Sequence, residues 1–246
     1  MTEIRIGCSG WSYTDWRERF YPRGVAQRKW LAFYADRFDT VELDNSFYRL
    51  VKESAASRWA SETPPGFIFS AKMSRYVTHT RRLADVESGA ARFYEGFTPL
   101  LDAGKLGPIE WQLPANFHRD DDRLASALEQ IDALPGRHAF EFRDPSWFVP
   151  EVEALLRRHD VALIVGDDPS RPFQTETRTA DFMLVRFHRG RRGRRGNYSE
   201  TELRSWAARI RAWSRDGDVY AYFNDDWEAF APRNAARLKQ LVAAAA

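Results

Sequence analysis

The chain has 246 residues, of which 43% are hydrophobic, so it can bury a full core without disulfide bonds. Its net charge of +2 is too small to mark the whole chain as a nucleic-acid-binding protein. The single cysteine, Cys8, excludes an intramolecular disulfide and fits a reducing compartment. No apolar run approaches the roughly 20 residues that cross a bilayer, and the N-terminus lacks the features of a signal peptide. Composition therefore predicts a cytoplasmic protein that does not insert into a membrane.

Strand-like apolar runs alternate with helix-like segments along the chain. The strand-like runs cover 3–8, 39–43, 67–72, 107–112, 138–143, 161–166, 182–188 and 218–224. Apolar residues recur with helical spacing in 29–38, 53–63, 88–104, 120–134, 150–159, 199–215 and from Pro232 onward. Such alternation predicts a parallel sheet. The stretch 167–181 is rich in Pro and Thr, which indicates that one helix is short or missing.

The eight strand-like runs favour a closed (β/α)8 barrel of the TIM type. No Ser/Gly-rich linker interrupts the series, so we predict a single domain over residues 1–246. The alternative is a doubly wound open sheet, which requires edge strands and a topological switch point. Neither feature can be identified in the sequence. In barrel enzymes the site lies at the carboxyl ends of the strands.

Polar side chains stand at the ends of most strand-like runs. A strand shows its side chains to alternate faces, so residues two apart point the same way. Three such same-face pairs are present, namely Glu110 with Gln112, Glu141 with Arg143, and Arg186 with His188. One pocket shared by several strand ends explains this pattern.

Carboxylates and imidazoles in such a pocket are typical of general acid and base catalysis. We predict catalytic roles for Glu110, Glu141, His188 and His79. No cofactor is predicted, because the G-x-G-x-x-G and Walker patterns are absent. A divalent metal held by Glu110, Glu141, Asp167 and His188 is a less favoured alternative, since no HxH or HExxH spacing supports it.

Clustered cations predict the charge of the substrate. The loop after the third run brings Lys72, Arg75 and His79 together, which suits a phosphate or carboxylate group. Arg143 and Arg186 add two more cations at strand ends. The favoured function is therefore an enzyme that acts on an anionic, preferably phosphorylated, small molecule. The sequence does not distinguish hydrolysis, isomerisation and lyase chemistry, and it predicts no oligomeric state.

Two other interpretations remain open. Glu42, Asp44, Glu110 and Glu141 nearly balance Lys72, Arg143 and Arg186, and such a set is also expected of a purely structural network of paired charges. Alternatively, the protein binds or processes nucleic acid through the basic loops 72–82 and 189–195, the second of which holds five arginines. Exposed rings such as Trp11, Trp147 and Trp227 would stack on its bases.

Long motifs in a fixed order carry a family resemblance. They are GCSGWSYTDWRERFYP, KWLAFYADRFDTVELDNSFYRL, FIFSAKMSRYVTH, LGPIEWQLP, FEFRDPSW, VRFH and YAYFND. In this order they resemble the YecE-like family, known as domain of unknown function 72. The resemblance covers nearly the whole chain and implies a (β/α)8 barrel, but it implies no reaction. One departure is that Arg189 and further arginines follow His188, where the family pattern has a glycine.

The motif positions complete the set of predicted substrate-binding residues. These are Trp11, Asn45, Tyr48, Lys72, Gln112, Arg143, Asp144, Trp147, Arg186 and Asn224.

Overall fold

The computed structural model describes residues 2–191 and 194–244, and the side chain of Arg194 is not described. Part of the predicted basic loop 189–195, at 192 and 193, thus lies outside the described residues. The strands are β1 Ile4–Cys8, β2 Thr40–Leu43, β3 Ile68–Lys72, β4 Leu106–Gln112, β5 His138–Glu141, β6 Ala162–Leu163, β7 Val165–Asp167, β8 Phe182–Phe187 and β9 Asp218–Phe223. The α-helices are α1 Trp30–Ala35, α2 Glu53–Glu62, α3 Val86–Asp102, α4 Asp121–Ile131, α5 Pro150–Arg158, α6 Glu200–Trp213 and α7 Phe230–Ala243.

The strands form two parallel sheets. The four-stranded sheet has the order β1-β9-β8-β7, and the five-stranded sheet has the order β2-β3-β4-β5-β6. All pairs within them are parallel, as the alternation of strands and helices predicts.

The predicted closed barrel is wrong, because the hydrogen-bonded ladder of the described strands is divided between these two sheets. The sixth strand-like run is split at Ile164, whose N–H still donates to Phe140, whereas Val165 already pairs with Val185. At the second boundary between the two sheets, an isolated β-bridge between Ser9 and Glu42 joins the ends of β1 and β2. A change of pairing partner inside one apolar run leaves no mark in the hydrophobic pattern, so the sequence suggested one strand where there are two.

The segment between β7 and β8 lacks an α-helix among its described residues, which confirms the expectation of a short or missing helix there. At the start of α6 a capping box is present, with Ser199 as N-cap and Glu202 as its partner. Each of the other predicted helices is present, with ends shifted by a few residues.

The inner faces of the two sheets meet around a small apolar cluster. Ala139 and Ala162 contribute from one sheet, and Phe182, Leu184 and Tyr222 from the other. The larger core lies on the opposite faces, against the helices. In β8 the alternation places Phe182 and Leu184 in the inner cluster and Arg186 next along the same face. The charged residues therefore begin where the apolar interior ends.

Candidate functional site

The guanidinium of Arg186 lies at the centre of the site and is surrounded by carboxylates. Its Nε and Nη2 donate to the two oxygens of Glu42 at 2.9 and 2.8 Å. Nη1 donates to Oε2 of Glu141 at 2.6 Å, and Nη2 also reaches Oδ1 of Asp44 at 3.2 Å. Arg186 is only 1% exposed. Burial lowers the pKa of Arg186, but the carboxylates raise it further, so the guanidinium stays charged.

Glu110 is the least satisfied carboxyl group in this cluster. Its Oε1 lies 2.7 Å from Nε of Arg186, but the single hydrogen on Nε is directed at Glu42. Both oxygens of Glu110 are buried and lack a hydrogen-bond partner among the described residues. Burial therefore raises the pKa of Glu110 well above its ordinary value, and the negative charges of Glu42 and Glu141 add to this effect.

Glu141 is held as a carboxylate by several donors. Its Oε2 accepts from Gln112 at 2.7 Å as well as from Arg186, and its Oε1 accepts from Nε of Arg143 at 3.1 Å. Burial raises the pKa of Glu141, but the two arginines lower it more, and the net pKa is well below the ordinary value. Glu141 is thus a weak base that positions Arg143.

Protonation of Glu110 would balance the charges of the cluster. With all four acids ionised, Glu42, Asp44, Glu110 and Glu141 outnumber Lys72, Arg143 and Arg186 by one. With Glu110 neutral, the numbers are equal. The structural network foreseen from the sequence is therefore present, and it forms the floor of the site.

His188 bridges the end of β8 to the chain after β9. Its Nε2 lies 3.4 Å from Oε1 of Glu141, and its Nδ1 lies 3.2 Å from Nδ2 of Asn224. Both ring nitrogens therefore face protein groups, and within the described residues the buried Nε2 makes no hydrogen bond.

Lys72 and His79 lie on one aromatic ring at the mouth of the site. The ammonium of Lys72 lies 4.5 Å from the ring centre of Phe47, and the imidazole of His79 contacts the same ring edge-to-face at 4.8 Å. The nearest carboxylate oxygen to Nζ of Lys72 is Oδ1 of Asp44, at 3.8 Å. Within the residues that the structure describes, the ammonium of Lys72 makes no hydrogen bond.

Thr78 and His79 are in contact within the π-helix Tyr76–Thr80. The hydroxyl oxygen of Thr78 lies 3.3 Å from the carbonyl oxygen of Ser74 and 3.0 Å from Nδ1 of His79. When the hydroxyl hydrogen is donated to Ser74, Nδ1 carries the proton of the neutral ring and Nε2 carries the lone pair. Burial lowers the pKa of His79 to about 4, and the nearby Lys72 and Arg143 add to this effect, so the ring is neutral at physiological pH.

The structure separates Asp167 from the other three predicted metal ligands. Asp167 lies away from the cluster, where its Oδ2 accepts from the indole of Trp206 at 2.9 Å. Among the described residues, Glu42, Asp44 and Glu110 each offer an oxygen within 4.8 Å of the others. The guanidinium of Arg186 already lies against all three, so these carboxylates fit an arginine rather than a metal ion.

Two predicted substrate-binding residues, Asp144 and Trp147, contact groups outside the cluster around Arg186. The carboxylate of Asp144 accepts from Ser146 and lies 3.0 Å from Nδ1 of His118. The ring of Trp147 is buried against Phe142, and its Nε1 donates to the carbonyl of Phe117. By contrast, the predicted residues Trp11 and Asn45 line a cavity beside Asp44, and Tyr48 is 72% exposed near them.

Asp226, which follows β9, was not among the predicted site residues. Burial raises the pKa of Asp226 to about 8, and negative charges at Asp44, Asp225 and Glu42 contribute. Its position directly after the strand-end residues Asn224 and Asp225 was the available signal. Phe47, whose ring contacts both Lys72 and His79, could be recognised in the sequence only as part of the motif that contains it.

The family follows from comparison with known proteins. A family model described as "Protein of unknown function DUF72" matches residues 5–246. The chain belongs to the DUF72 family. This confirms the resemblance seen in the motifs, and the family description names no activity.

Similar DUF72 proteins match over nearly their full length. The UPF0759 protein YunF of Bacillus subtilis (strain 168) is 27% identical, covering 97% of this chain and 94% of that protein. The crystal structure of a DUF72 family protein from Thermotoga maritima MSB8 has a TM-score of 0.87 at 27% identity, covering 98% of this chain and 99% of that one. A DUF72 family protein from Enterococcus faecalis V583 has a TM-score of 0.80 at 21% identity, covering 99% and 98%, and shows the shared fold alone.

Within the described part of this DUF72 chain, every helix is either too short or too polar to cross a bilayer.

Proposed function

We propose that the protein is an enzyme that binds an anionic small molecule at the strand carboxyl ends and transfers a proton to or from it. The observation that carries the proposal is the group at the mouth, where the neutral imidazole of His79 lies near the cations Lys72 and Arg143, and its Nε2 can accept a proton when Nδ1 carries the ring hydrogen. Neutral imidazoles of this kind are common general bases.

Lys72 and Arg143 are the groups proposed to bind the anion. The ammonium of Lys72 forms only a long ion pair, with Asp44 at 3.8 Å, and makes no hydrogen bond within the described residues. Arg143 uses Nε to bind Glu141, and within the described residues its two terminal nitrogens make no hydrogen bond. A phosphate or carboxylate between these side chains would accept the charge-assisted hydrogen bonds that they lack.

His79 is the proposed base, and its low pKa is matched to an anionic substrate. The positive charges of Lys72 and Arg143 contribute to that low pKa. An anion bound between them would cancel this effect and make Nε2 a stronger base when substrate is present. Hydrolysis, isomerisation and elimination all use such a base, so the proposal covers these classes.

Glu110 and Glu141 were both predicted from the sequence to be catalytic, and we propose a different role for each. Glu110 is a buried carboxyl group with a raised pKa, and its strand position is paired with that of Lys72. Glu141 acts through Arg143 and His188, which it holds in place. We retain a cytoplasmic location as part of the proposal, supported by the free, buried Cys8.

Binding of simple anions tests the proposal directly. Inorganic phosphate and phosphorylated sugars would be titrated into the wild type, Lys72→Met and Arg143→Met at low salt by calorimetry. We expect each variant to bind at least about tenfold more weakly, because one charge-assisted contact is lost. Arg204→Met, an exposed change on α6, is the control and should bind like the wild type. Equal binding by all four proteins, or no binding by the wild type, would refute the proposal.

A second candidate function, nucleic-acid binding, is supported by exposed aromatic rings. Tyr48, Tyr76 and Trp227 are 72%, 47% and 53% exposed, and single-stranded bases stack on such rings. Arg195 of the basic loop lies 5.4 Å from the ring centre of Trp227, but it also faces Glu228 at 3.5 Å. Titration of a single-stranded oligonucleotide at several salt concentrations separates the candidates. Binding that weakens steeply with salt would favour nucleic acid, and its absence at low salt would exclude it.

A further inference from the structure

Two cavities meet at Trp11 and lead away from the proposed anion site. The first, of about 270 Å³, is lined by Tyr13, Asp44 and Asn45. The second, of about 440 Å³, is lined by Arg28, Trp59 and Glu62. Trp11 and Ser12 line both. Each volume is close to or within the range of about 300–1,000 Å³ that is usual for small-molecule pockets.

The first cavity is connected to the proposed anion site through the contacts of one residue, Asp44. Its wall includes Asp44, whose Oδ1 is 3.8 Å from Nζ of Lys72 and 3.2 Å from Nη2 of Arg186. A molecule whose anionic group lies at Lys72 can therefore extend past Asp44 toward Trp11.

The ring of Trp11 is held in one orientation by the core. It stands at 87° to the ring of Trp59, with ring centres 5.6 Å apart, and at 72° to the ring of Phe69 at 6.4 Å. Trp59 and Phe69 are buried, whereas Trp11 is half-buried. A tryptophan whose orientation is fixed and whose remaining surface borders two cavities provides a preorganised face for a flat ligand group.

We infer that these two cavities form a subsite for a planar ring carried by the same substrate, a conclusion that rests on the proposed function. The substrate class is then an anionic compound in which a sugar-sized spacer joins the phosphate or carboxylate to an aromatic or heteroaromatic ring. The anionic group lies at Lys72 and Arg143, the spacer passes Asp44 and Asn45, and the ring lies against Trp11. Stacking on one aromatic side chain changes affinity by about five- to a hundredfold.

A graded series of probes tests this arrangement. Inorganic phosphate, ribose 5-phosphate and adenosine 5′-monophosphate would be titrated into the wild-type protein by calorimetry at fixed low salt. We expect adenosine 5′-monophosphate to bind at least about tenfold more tightly than ribose 5-phosphate. Trp11→Ala should abolish this difference and leave phosphate binding unchanged. Trp213→Ala, which removes a half-buried tryptophan from α6, is the matched control and should preserve the difference.

A second variant addresses the risk that Trp11→Ala does not fold. Ser12 is exposed and lines both cavities, so Ser12→Trp would fill the groove and leave the core contacts of Trp11 in place. It should remove the preference for the nucleotide in the same way. If wild-type protein binds phosphate but shows no preference for the ring, the subsite is refuted and the proposed function stands. If phosphate itself does not bind, the proposed function fails and the subsite fails with it.

Discussion

Arg186 and Glu42 form a two-point ion pair in the interior, with Nε–Oε1 and Nη2–Oε2 distances of 2.9 and 2.8 Å. The two side chains come from different sheets, since Arg186 lies on β8 and Glu42 on β2. Their pairing therefore ties the four-stranded sheet to the five-stranded sheet directly beneath the proposed anion site.

Removal of Arg186 should destabilise the fold strongly. Arg186→Met would leave Glu42, Glu110 and Glu141 buried without their shared cation, which costs about 3–5 kcal/mol in comparable cases. Urea unfolding would measure the loss of unfolding free energy. The exposed control Arg204→Met should change it by less than about 1 kcal/mol. A similar small change for Arg186→Met would show that the network contributes little to stability.

Glu110 should make the stability of the wild type depend on pH. An unfolded glutamate has a pKa of about 4.3, and the folded pKa of Glu110 is well above its ordinary value. The contribution of the bound proton is therefore complete below about pH 4.3 and is lost as pH rises through the folded pKa. Glu110→Gln does not titrate, so its unfolding free energy relative to the wild type should increase with pH over this window.

Urea unfolding of both proteins at several pH values checks that trend. Glu129→Gln, at an exposed position of α4, is the control. A constant difference between Glu110→Gln and the wild type would mean that Glu110 is ionised in the folded protein.

His79 should titrate near pH 4 in the free protein and at higher pH when an anion is bound. Burial and the nearby cations lower its pKa to about 4, and a phosphate at Lys72 and Arg143 would raise it toward the ordinary value of about 6.5. Proton NMR titration of the imidazole rings, with His79→Asn to assign the signal, measures both values.

His138 supplies an internal control for this titration. Its pKa is also lowered to about 4 by burial, but it is the first residue of β5, at the amino end of the strand, where its Nδ1 accepts from the indole of Trp111. Phosphate should leave it unchanged. Equal shifts of both histidines, or of neither, would contradict an anion site beside His79.

The hydroxyl of Tyr222 should contribute to the stability of the layer beneath the charged cluster. It lies 2.7 Å from the hydroxyl of Thr40 and 2.7 Å from that of Ser70, and all three groups are buried. Tyr222→Phe leaves two buried hydroxyls without this partner and should cost about 1–3 kcal/mol by thermal or urea unfolding. Tyr94→Phe, whose hydroxyl bonds near the surface to the carbonyl of Pro135, should cost less. Equal costs would indicate that the inner hydroxyls find other partners.

Strand positions and same-face polar pairs were predictable from sequence because they depend on local alternation. The pairs Glu110/Gln112 and Glu141/Arg143 lie together at the strand ends, with Gln112 bonded to Glu141. Sheet closure was not predictable in this way. It depends on which neighbour Ile164 and Val165 each bond to, and hydrophobicity does not encode that choice.

The sequence by itself determined the alternating parallel architecture, the family motifs and the gathering of charged residues at the strand ends. Only the tertiary structure decided what each charge does, because a pKa depends on burial and on neighbours that are distant in the chain. Asp167 and Asp144 therefore contact residues outside the predicted cluster, and Arg186 is buried and paired with carboxylates. The contact of His79 with the hydroxyl of Thr78 is made within a π-helix that no periodicity predicts.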